Sequence, residues 1–307
     1  MRLEGIHHIT AITGDAPRNV DFYTRVLGLR LVKKSVNQDD PTVYHLFYAD
    51  EQGSAGSDLT FFEYPGAQRG RAGRGMVHLI GWRVASEDAL SFWAERLAGE
   101  GVAVDRPRGG ALAFSDPEGL RQELVVDTSA DEPLIAQHPE IPAEHALRGF
   151  DGVRAYASDP EQSRALLESA LAFEPGADGW EVRGAARGST YAYDAPPAEP
   201  GIQGAGTVHH VAWASLLDEQ TGWRERVLRA GARPTPVIDR FYFRSVYFRE
   251  PSGVLFEIAT IGPGFTTDEP LESLGEKLAL PPDYEPMRAQ IEATVTPLPA
   301  PRAGRTS

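Results

Sequence analysis

The chain has no cysteine. That removes disulfide frameworks, thiolate metal sites and cysteine nucleophiles, and leaves nitrogen and oxygen as the only donors for any bound metal. Basic residues are outnumbered: 30 Lys and Arg against 44 Asp and Glu give a formal net charge of −14. Phosphate backbones and anionic lipid would be repelled, so nucleic acid is a poor partner and a small molecule the expected one. No run approaches the ~18–20 apolar residues of a membrane span. The opening Met1-Arg2-Leu3-Glu4 also lacks the basic start and apolar core of a signal peptide. A cytoplasmic setting is the expectation. What is present is enough apolar material, 41% of 307 residues, to fill the cores of two ordinary domains.

The informative pattern is an imperfect internal repeat. Matched strand openings occur as "GIHHIT" at 5–10, "GMVHLIGW" at 75–82 and "TVHHVAW" at 207–213, which places His8, His78 and His210 at equivalent positions of the repeat. A fourth opening, "GFDGVRAY" at 149–156, has no histidine. Each leads into a helix with a start signal: Asp15 before Pro17, Ser86 before Glu87, Ser158 before Asp159-Pro160, and Asp218 before Glu219. Apolar residues at helical spacing, such as Val20, Tyr23 and Leu27, give each helix one buried stripe, and Gly28, Gly99 and Gly231 are expected to end three of them. Short alternating runs follow, read as about three antiparallel strands. The class is therefore α+β, built from four βαβββ units at roughly 4–65, 75–128, 149–195 and 206–262. Residues 1–128 hold one pair of units and 149–262 the other, with a proline-rich linker at 129–148 in which His138 and His145 are expected to be exposed and without a role. A tail, 263–307, contains one short helix, "MRAQIEATV", and ends in "PLPAPRAGRTS", too polar and proline-rich to pack.

Strand-borne histidines and glutamates in repeated register give inward-pointing metal ligands. Glu123 and Glu257 each lie four residues past a turn glycine, and Glu63 falls at a comparable place in unit one. Pairing of units one and four would offer His8, Glu63, His210 and Glu257; units one and two, His8, Glu63, His78 and Glu123; units three and four, only His210 and Glu257. Two histidines with one carboxylate suit non-haem Fe(II) and O2 chemistry, whereas two histidines with two glutamates suit a Ni(II) or Zn(II) isomerase. Spacing alone leaves these open. Strict alternation would send His7 and His8 to opposite faces. Of the aromatics on these strands, Phe61, Phe62, Phe241, Phe243, Phe248 and Phe256, some should line an apolar pocket and most should be core.

"GIHHIT", the second "HHVAW", "DRFYFRSVYFREPSGVLFEIAT" and the tail "LPPDYEPMRAQIEATVTPLPAPR" together resemble the vicinal oxygen chelate (glyoxalase/bleomycin resistance/extradiol dioxygenase) superfamily, in its branch of hydroquinone-type ring-cleaving dioxygenases. The resemblance spans nearly the whole chain. It implies units paired into two barrel-like cups, with units one and four together holding the metal through His8, His210 and Glu257. It places pocket residues at His7, Thr10, His209, Arg240 and Tyr247. Of these, His209, Arg240 and Tyr247 are candidates for catalysis, and His7, Thr10, Arg240 and Tyr247 for substrate contact; a surface pair with Asp239 is the bland alternative for Arg240. The implied cofactor is Fe(II), with Mn(II), Ni(II) or Zn(II) as other occupants, and the implied reactants are O2 and a small hydroquinone or catechol. A homo-oligomer is plausible. Competing readings are a glyoxalase-type isomerase, which a coordinating Glu63 would favour, and a metal-free resistance protein that sequesters a small molecule.

Overall fold

A computed structural model describes residues 1–107 and 109–298. Unit one runs β1 (Ile6–Thr13), α1 (Ala16–Asp21, continued by a π-helical turn Phe22–Val26), β2 (Arg30–Asn37), β3 (Asp40–Ala49) and β4 (Asp58–Glu63). Unit two repeats the plan as β5 (Val77–Val84), α2 (Glu87–Gly99), β6 (Val104–Asp105), β7 (Leu112–Ser115) and β8 (Arg121–Val126). Unit three is β9 (Phe150–Tyr156), α3 (Glu161–Arg164, with a π-turn Ala165–Ala170), β10 (Glu174–Gly176), β11 (Gly179–Arg183) and β12 (Gly188–Asp194). Unit four is β13 (Val208–Ser215), α4 (Gln220–Arg229), β14 (Ile238–Asp239), β15 (Arg244–Arg249) and β16 (Leu255–Thr260).

Asp15 and Ser86 cap their helices as expected, accepting from the backbone N–H of Arg18 and Ala89. The other two starts differ: α3 and α4 begin after Pro160 and Glu219 with no side-chain cap, so Ser158 and Asp218 stand outside them. Gly28 and Gly231 take up the positive φ that closes a helix, but Gly99 lies within α2 and Gly101, at φ 73°, performs that task.

The strands form two eight-stranded sheets curled into half-barrels, ordered β14-β15-β16-β13-β1-β4-β3-β2 and β10-β11-β12-β9-β5-β8-β7-β6. Units one and four share the first sheet and units two and three the second. The segments 1–128 and 149–262 are thus halves of the sequence, each giving one unit to each sheet. Every sheet is joined at its centre by an antiparallel seam, β1 with β13 and β5 with β9, and the α-helices cover the outer faces with Trp93, Trp223, Leu97 and Val227 fully buried. Hydrogen bonds tie one cup to the other in matching places: Tyr23 donates to Asp116, and Ser163 to Glu250.

The segment 129–148 is not a loose connector. Ile141 and Leu147 are buried, Trp93 donates its indole N–H to the His145 carbonyl, and the half-buried His145 ring stacks on Phe92 at 4.8 Å. His138 is half-buried too, so neither histidine is the exposed residue that polarity suggested. The tail wraps the first cup. Short turns at Phe265–Thr267, Leu271–Ser273 and Pro282–Met287 lead to α5 (Arg288–Thr294), and Leu298 still packs on the core; 299–307 of the terminal "PLPAPRAGRTS" lie outside the described residues. Lys33, wholly buried in β2, is bound by Asp268, Glu269 and the Phe265 carbonyl, which ties the tail across the cup. No helix among the described residues is long and apolar enough to cross a membrane.

Candidate metal centre

His8 enters from β1, His210 from β13 and Glu257 from β16, three strands that are neighbours only because units one and four share a sheet. Their donors form a tight triangle. His8 Nε2 lies 3.3 Å from His210 Nε2, and Glu257 Oε2 lies 3.2 Å from the first and 2.9 Å from the second. Donors that share one cation at about 2.1 Å subtend about 3.0–3.4 Å, so the triangle has the dimensions of one face of a coordination sphere. Among the described residues it is the one group of three or more metal-ligating side chains that converges in this way. All three residues are buried, and Glu257 Oε2 has no hydrogen-bond partner although it is wholly inside. A buried carboxylate oxygen left that way is costly unless a cation takes it.

The remaining atoms of the ligands are held by neighbours. Glu257 Oε1 accepts from Ser245 Oγ at 2.5 Å. His8 Nδ1 lies 2.9 Å from His7 Nδ1, and His7 Nε2 lies 3.1 Å from the Thr260 carbonyl. The carbonyl can only accept, so His7 Nε2 carries a proton, His7 Nδ1 accepts, and His8 is protonated on Nδ1 with its Nε2 lone pair turned to the centre. The other seam strand repeats the ring-to-ring contact, with His209 Nδ1 2.8 Å from His210 Nδ1, but without a carbonyl on the outer nitrogen among the described residues. Burial, reinforced by His8, lowers the His7 pKa to about 3; burial and His210 lower that of His209 to about 4; and burial also lowers His210. Neutral imidazoles are the form that binds metal.

Alternation fails where the histidines sit. The seam skips His7 between the pairs Ile6–Trp213 and His8–Ala212, and skips His209 between Thr10–His210 and Ala11–Val208. Each skipped residue is a bulge, which turns its ring back toward the neighbouring ligand instead of onto the opposite face.

Register also corrects two expected equivalences. Glu257 pairs with Ala212, two residues after His210, while Thr10, two residues after His8, pairs with Thr60. Thr60, not Glu63, therefore occupies the unit-one counterpart of Glu257. Glu63 lies three residues on, accepting from Ala16 N–H at 3.0 Å and from Thr296 Oγ1 at 3.2 Å, so it anchors the start of α1 and the tail. In the second seam Leu79 pairs with Arg154 and Gly81 with Gly152, and Gly81 pairs with Glu123. Leu79 matches His210, Gly152 matches His8, and His78 matches His209 rather than either ligand. The shared tryptophan of "HLIGW" and "HHVAW" carries this alignment in the sequence itself.

Beside the triad is a narrow cavity whose lining includes His45, Phe62, Arg240, Phe243 and Tyr247. His7, Thr10 and His209 are not in its lining: His7 and Thr10 are buried, and His209 is exposed beside Phe62. Tyr247 packs edge-on to His210 at 5.7 Å, and burial, with Glu257 nearby, raises its hydroxyl pKa well above the ordinary value. The Arg240 guanidinium lies over the Tyr247 ring at 5.4 Å and is gripped by both Asp39 oxygens at 3.0 and 2.9 Å; Asp239 instead accepts from Phe241 N–H. Thr10 Oγ1 bonds Thr60 Oγ1 at 2.8 Å, which bonds His45 Nε2 at 2.9 Å. Phe61, Phe248 and Phe256 are buried in the core, and Phe241 packs beside the inner apolar cluster. His45 and Ser35 escaped the sequence reading because neither belongs to a motif; only the β2–β3 register brings them to the cavity. A larger groove between α1 and the tail, lined by Pro17, Leu29 and Leu274, holds no such ligand cluster.

A model of the Glyoxalase/Bleomycin resistance protein/Dioxygenase superfamily matches residues 5–124. The chain is 40% identical to "Putative ring-cleaving dioxygenase MhqA" of Bacillus subtilis (strain 168), across 97% of this chain and 100% of that protein. It is 34% identical to a chlorohydroquinone/hydroquinone 1,2-dioxygenase of Sphingobium indicum, across 96% of each. A crystal structure titled as a "putative dioxygenase" from Bacillus subtilis superposes with a TM-score of 0.91 at 40% identity, covering 97% of this chain and 98% of that one. Glyoxalase I from Zea mays, at TM-score 0.58 and 17% identity over 83% of this chain and 92% of that one, shares the fold alone.

Proposed function

Since this chain belongs to the glyoxalase/bleomycin resistance protein/dioxygenase superfamily, we propose that it is a non-haem Fe(II) ring-cleaving dioxygenase acting on a hydroquinone-type aromatic with O2. The observation that carries the reading is the composition of the centre: His8, His210 and Glu257 converge, and the fourth symmetry-related position is Thr60. Two imidazoles and one carboxylate on one face suit Fe(II) and leave the opposite positions free for two reactants. When bound there, Fe(II) supplies the electron transfer that lets O2 react with a phenolate held beside it.

The chain's own residues do the rest. Ser245 fixes the Glu257 carboxylate, His7, anchored on the Thr260 carbonyl, fixes the His8 tautomer, and His209 bonds the His210 ring, the kind of support that typically carries 10–100-fold in affinity or activity. Arg240 places a positive charge at the cavity, favouring the ionised phenol. Tyr247, held neutral at ordinary pH, keeps a proton available at its hydroxyl for the ring oxygen or its product. Phe62, Phe47 and Phe243 form apolar walls that exclude water from the ring. A four-ligand isomerase centre of the glyoxalase kind would need a carboxylate at Thr60, and Glu63 is engaged elsewhere.

Anaerobic loading with Fe(II), followed by an oxygen electrode with hydroquinones and catechols, tests the reading. Equimolar O2 uptake with loss of the aromatic absorbance is expected on a para-diol. Oxygen-independent turnover of a thiol adduct by the Ni(II) or Zn(II) protein, with none on diols, would overturn it.

A further inference from the structure

A para-diol presents two oxygens at opposite ends of one ring. If one is held at the metal centre, the other projects across the cavity and must be either solvated or received by the protein. Burying a hydroxyl without a partner is costly, so the far wall of the cavity should carry polar atoms with nothing else to bond.

Most polar groups lining the cavity are committed. The Gln38 amide donates to the Arg240 carbonyl, Asn37 Oδ1 accepts from Asp39 N–H, Asp39 and Arg240 hold one another, and Tyr242 donates to Asp268. Tyr247 stands beside His210, on the metal side. Besides the remaining amide atoms of Asn37 and Gln38, two groups keep unused hydrogen-bonding atoms, and they are neighbours. Ser35 on β2 and His45 on β3 are directly paired in the antiparallel register, and both line the cavity. Ser35 is only 2% exposed; among the described residues its hydroxyl can donate only to the nearby Tyr242 oxygen, whose own proton goes to Asp268, and no donor reaches the Ser35 lone pairs. His45 uses Nε2 on Thr60, and its ring is wedged between Phe47 at 3.9 Å and Phe62 at 4.5 Å. Its Nδ1 makes no hydrogen bond among the described residues. The Thr10–Thr60–His45 chain and the two phenylalanine rings thus fix an imidazole edge at the cavity.

We infer that Ser35 and His45 form the subsite that receives the second, para oxygen of the ring, making this cavity selective for 1,4-dihydroxyarenes over monophenols. The inference rests on the dioxygenase reading for its substrate class. A neutral imidazole offers either a donor or an acceptor at Nδ1, the serine oxygen offers an acceptor, and a phenolic hydroxyl complements either tautomer. Thr60 then has a second use: a threonine where the sister unit has its carboxylate leaves the metal face open and also pins His45. His45 is a positioning and recognition group here, and no change in its own charge is involved.

The test uses the full-length protein loaded with redox-inert Zn(II), so that binding is read without turnover. Dissociation constants for hydroquinone and 4-methylphenol, which replaces the far hydroxyl by a methyl group, are measured for wild type, Ser35→Ala, His45→Phe and His45→Gln. Wild type should prefer hydroquinone. Ser35→Ala and His45→Phe should each weaken hydroquinone about tenfold, the usual worth of a buried hydrogen bond, and leave 4-methylphenol unchanged; His45→Gln should recover part of the loss. Thermal unfolding and zinc content of each variant separate this effect from misfolding. Equal losses for both ligands, or a wild type that does not distinguish them, would overturn the inference. Failure of the Fe(II) protein to consume O2 would instead count against the dioxygenase reading, because the zinc comparison needs binding alone.

Discussion

In the cup built by units one and four, the seam brings His8 and His210 to one point and β16 delivers Glu257. In the cup built by units two and three the same strands run in the same order, yet the matching positions hold Gly152, Leu79 and Glu123. The loss is fixed in the backbone as well as in side-chain identity. A Cβ at Gly152 would lie 1.9 Å from Thr190 Oγ1 and 2.5 Å from the Thr190 carbonyl, so no ligand can be restored there without moving β12. His78, which survives at the place of His209, is bonded to Asp194 and stacked on Tyr156 at 3.8 Å. One fold thus carries a converged donor set in one cup and a packed polar network in the other; the fold supplies the places, and a few residues decide the chemistry.

The sharpest way to break that contrast is to remove one carboxylate from each cup. Glu257→Ala should abolish stoichiometric metal binding and lower O2 uptake by roughly 10^3-fold or more, as expected when several kcal/mol of metal-centred stabilisation are lost. Glu123→Ala, its counterpart, should leave both unchanged. Metal analysis after dialysis and the oxygen electrode read the two outcomes, and an equal effect from the second variant would erase the distinction between the cups.

A smaller effect should come from making the first cup more symmetric. Thr60→Glu puts a carboxylate at the register position of Glu257 and creates a four-ligand set. Metal should stay bound, with the preference shifted toward Ni(II) or Zn(II), and O2 uptake should fall about 100-fold, roughly 2.7 kcal/mol, as an open position closes. Competition between Fe(II) and Zn(II), followed by metal analysis, gives the shift; unchanged uptake with iron would show that Thr60 does not border an open position.

That position also marks where the sequence stopped being legible. Four repeated units and their strand–helix–strand order could be read because repeated motifs record local structure; the repeats left several ligand sets open, and it was the family resemblance that singled out His8, His210 and Glu257, the three side chains that converge. His78 was given the wrong equivalent because letter matching follows the histidine whereas register follows strand pairing, and a bulge at the seam histidine displaces one from the other by a residue; Glu63 was misplaced by three residues along an unbroken ladder, because only the pairing of β1 with β4 identifies Thr60 as the counterpart of Glu257. The equal spacing from His78 to Trp82 and from His209 to Trp213 held the correct alignment. The sharing of sheets between distant units, the burial of the 129–148 segment and the meeting of Ser35 with His45 depend on contacts that leave no local pattern.

The smallest expected effect concerns His7 and its counterpart Asp151, the two bulge residues, whose titrations oppose one another. Burial and His8 lower His7 from 6.5 to about 3, so between these values the unfolded chain takes up a proton that the folded one refuses. Stability is therefore lost as pH falls below 6.5, by about 1.4 kcal/mol per unit, or about 2 kcal/mol at pH 5. Asp151 is shifted the other way, raised by burial against the opposing pull of Arg83. There the folded state holds the proton more tightly, so its contribution is present at low pH and is lost as pH rises through the carboxylate range; with its side chain 34% exposed, that effect should be the weaker. Denaturant unfolding of the apoprotein at pH 7.5 and pH 5.0 should show His7→Gln flattening the acid-side decline by about 2 kcal/mol, while Asp151→Asn removes a small stabilisation on the acid side and so steepens the decline slightly. Parallel behaviour of the two variants would mean that the seams, alike in backbone, are also alike in their electrostatics.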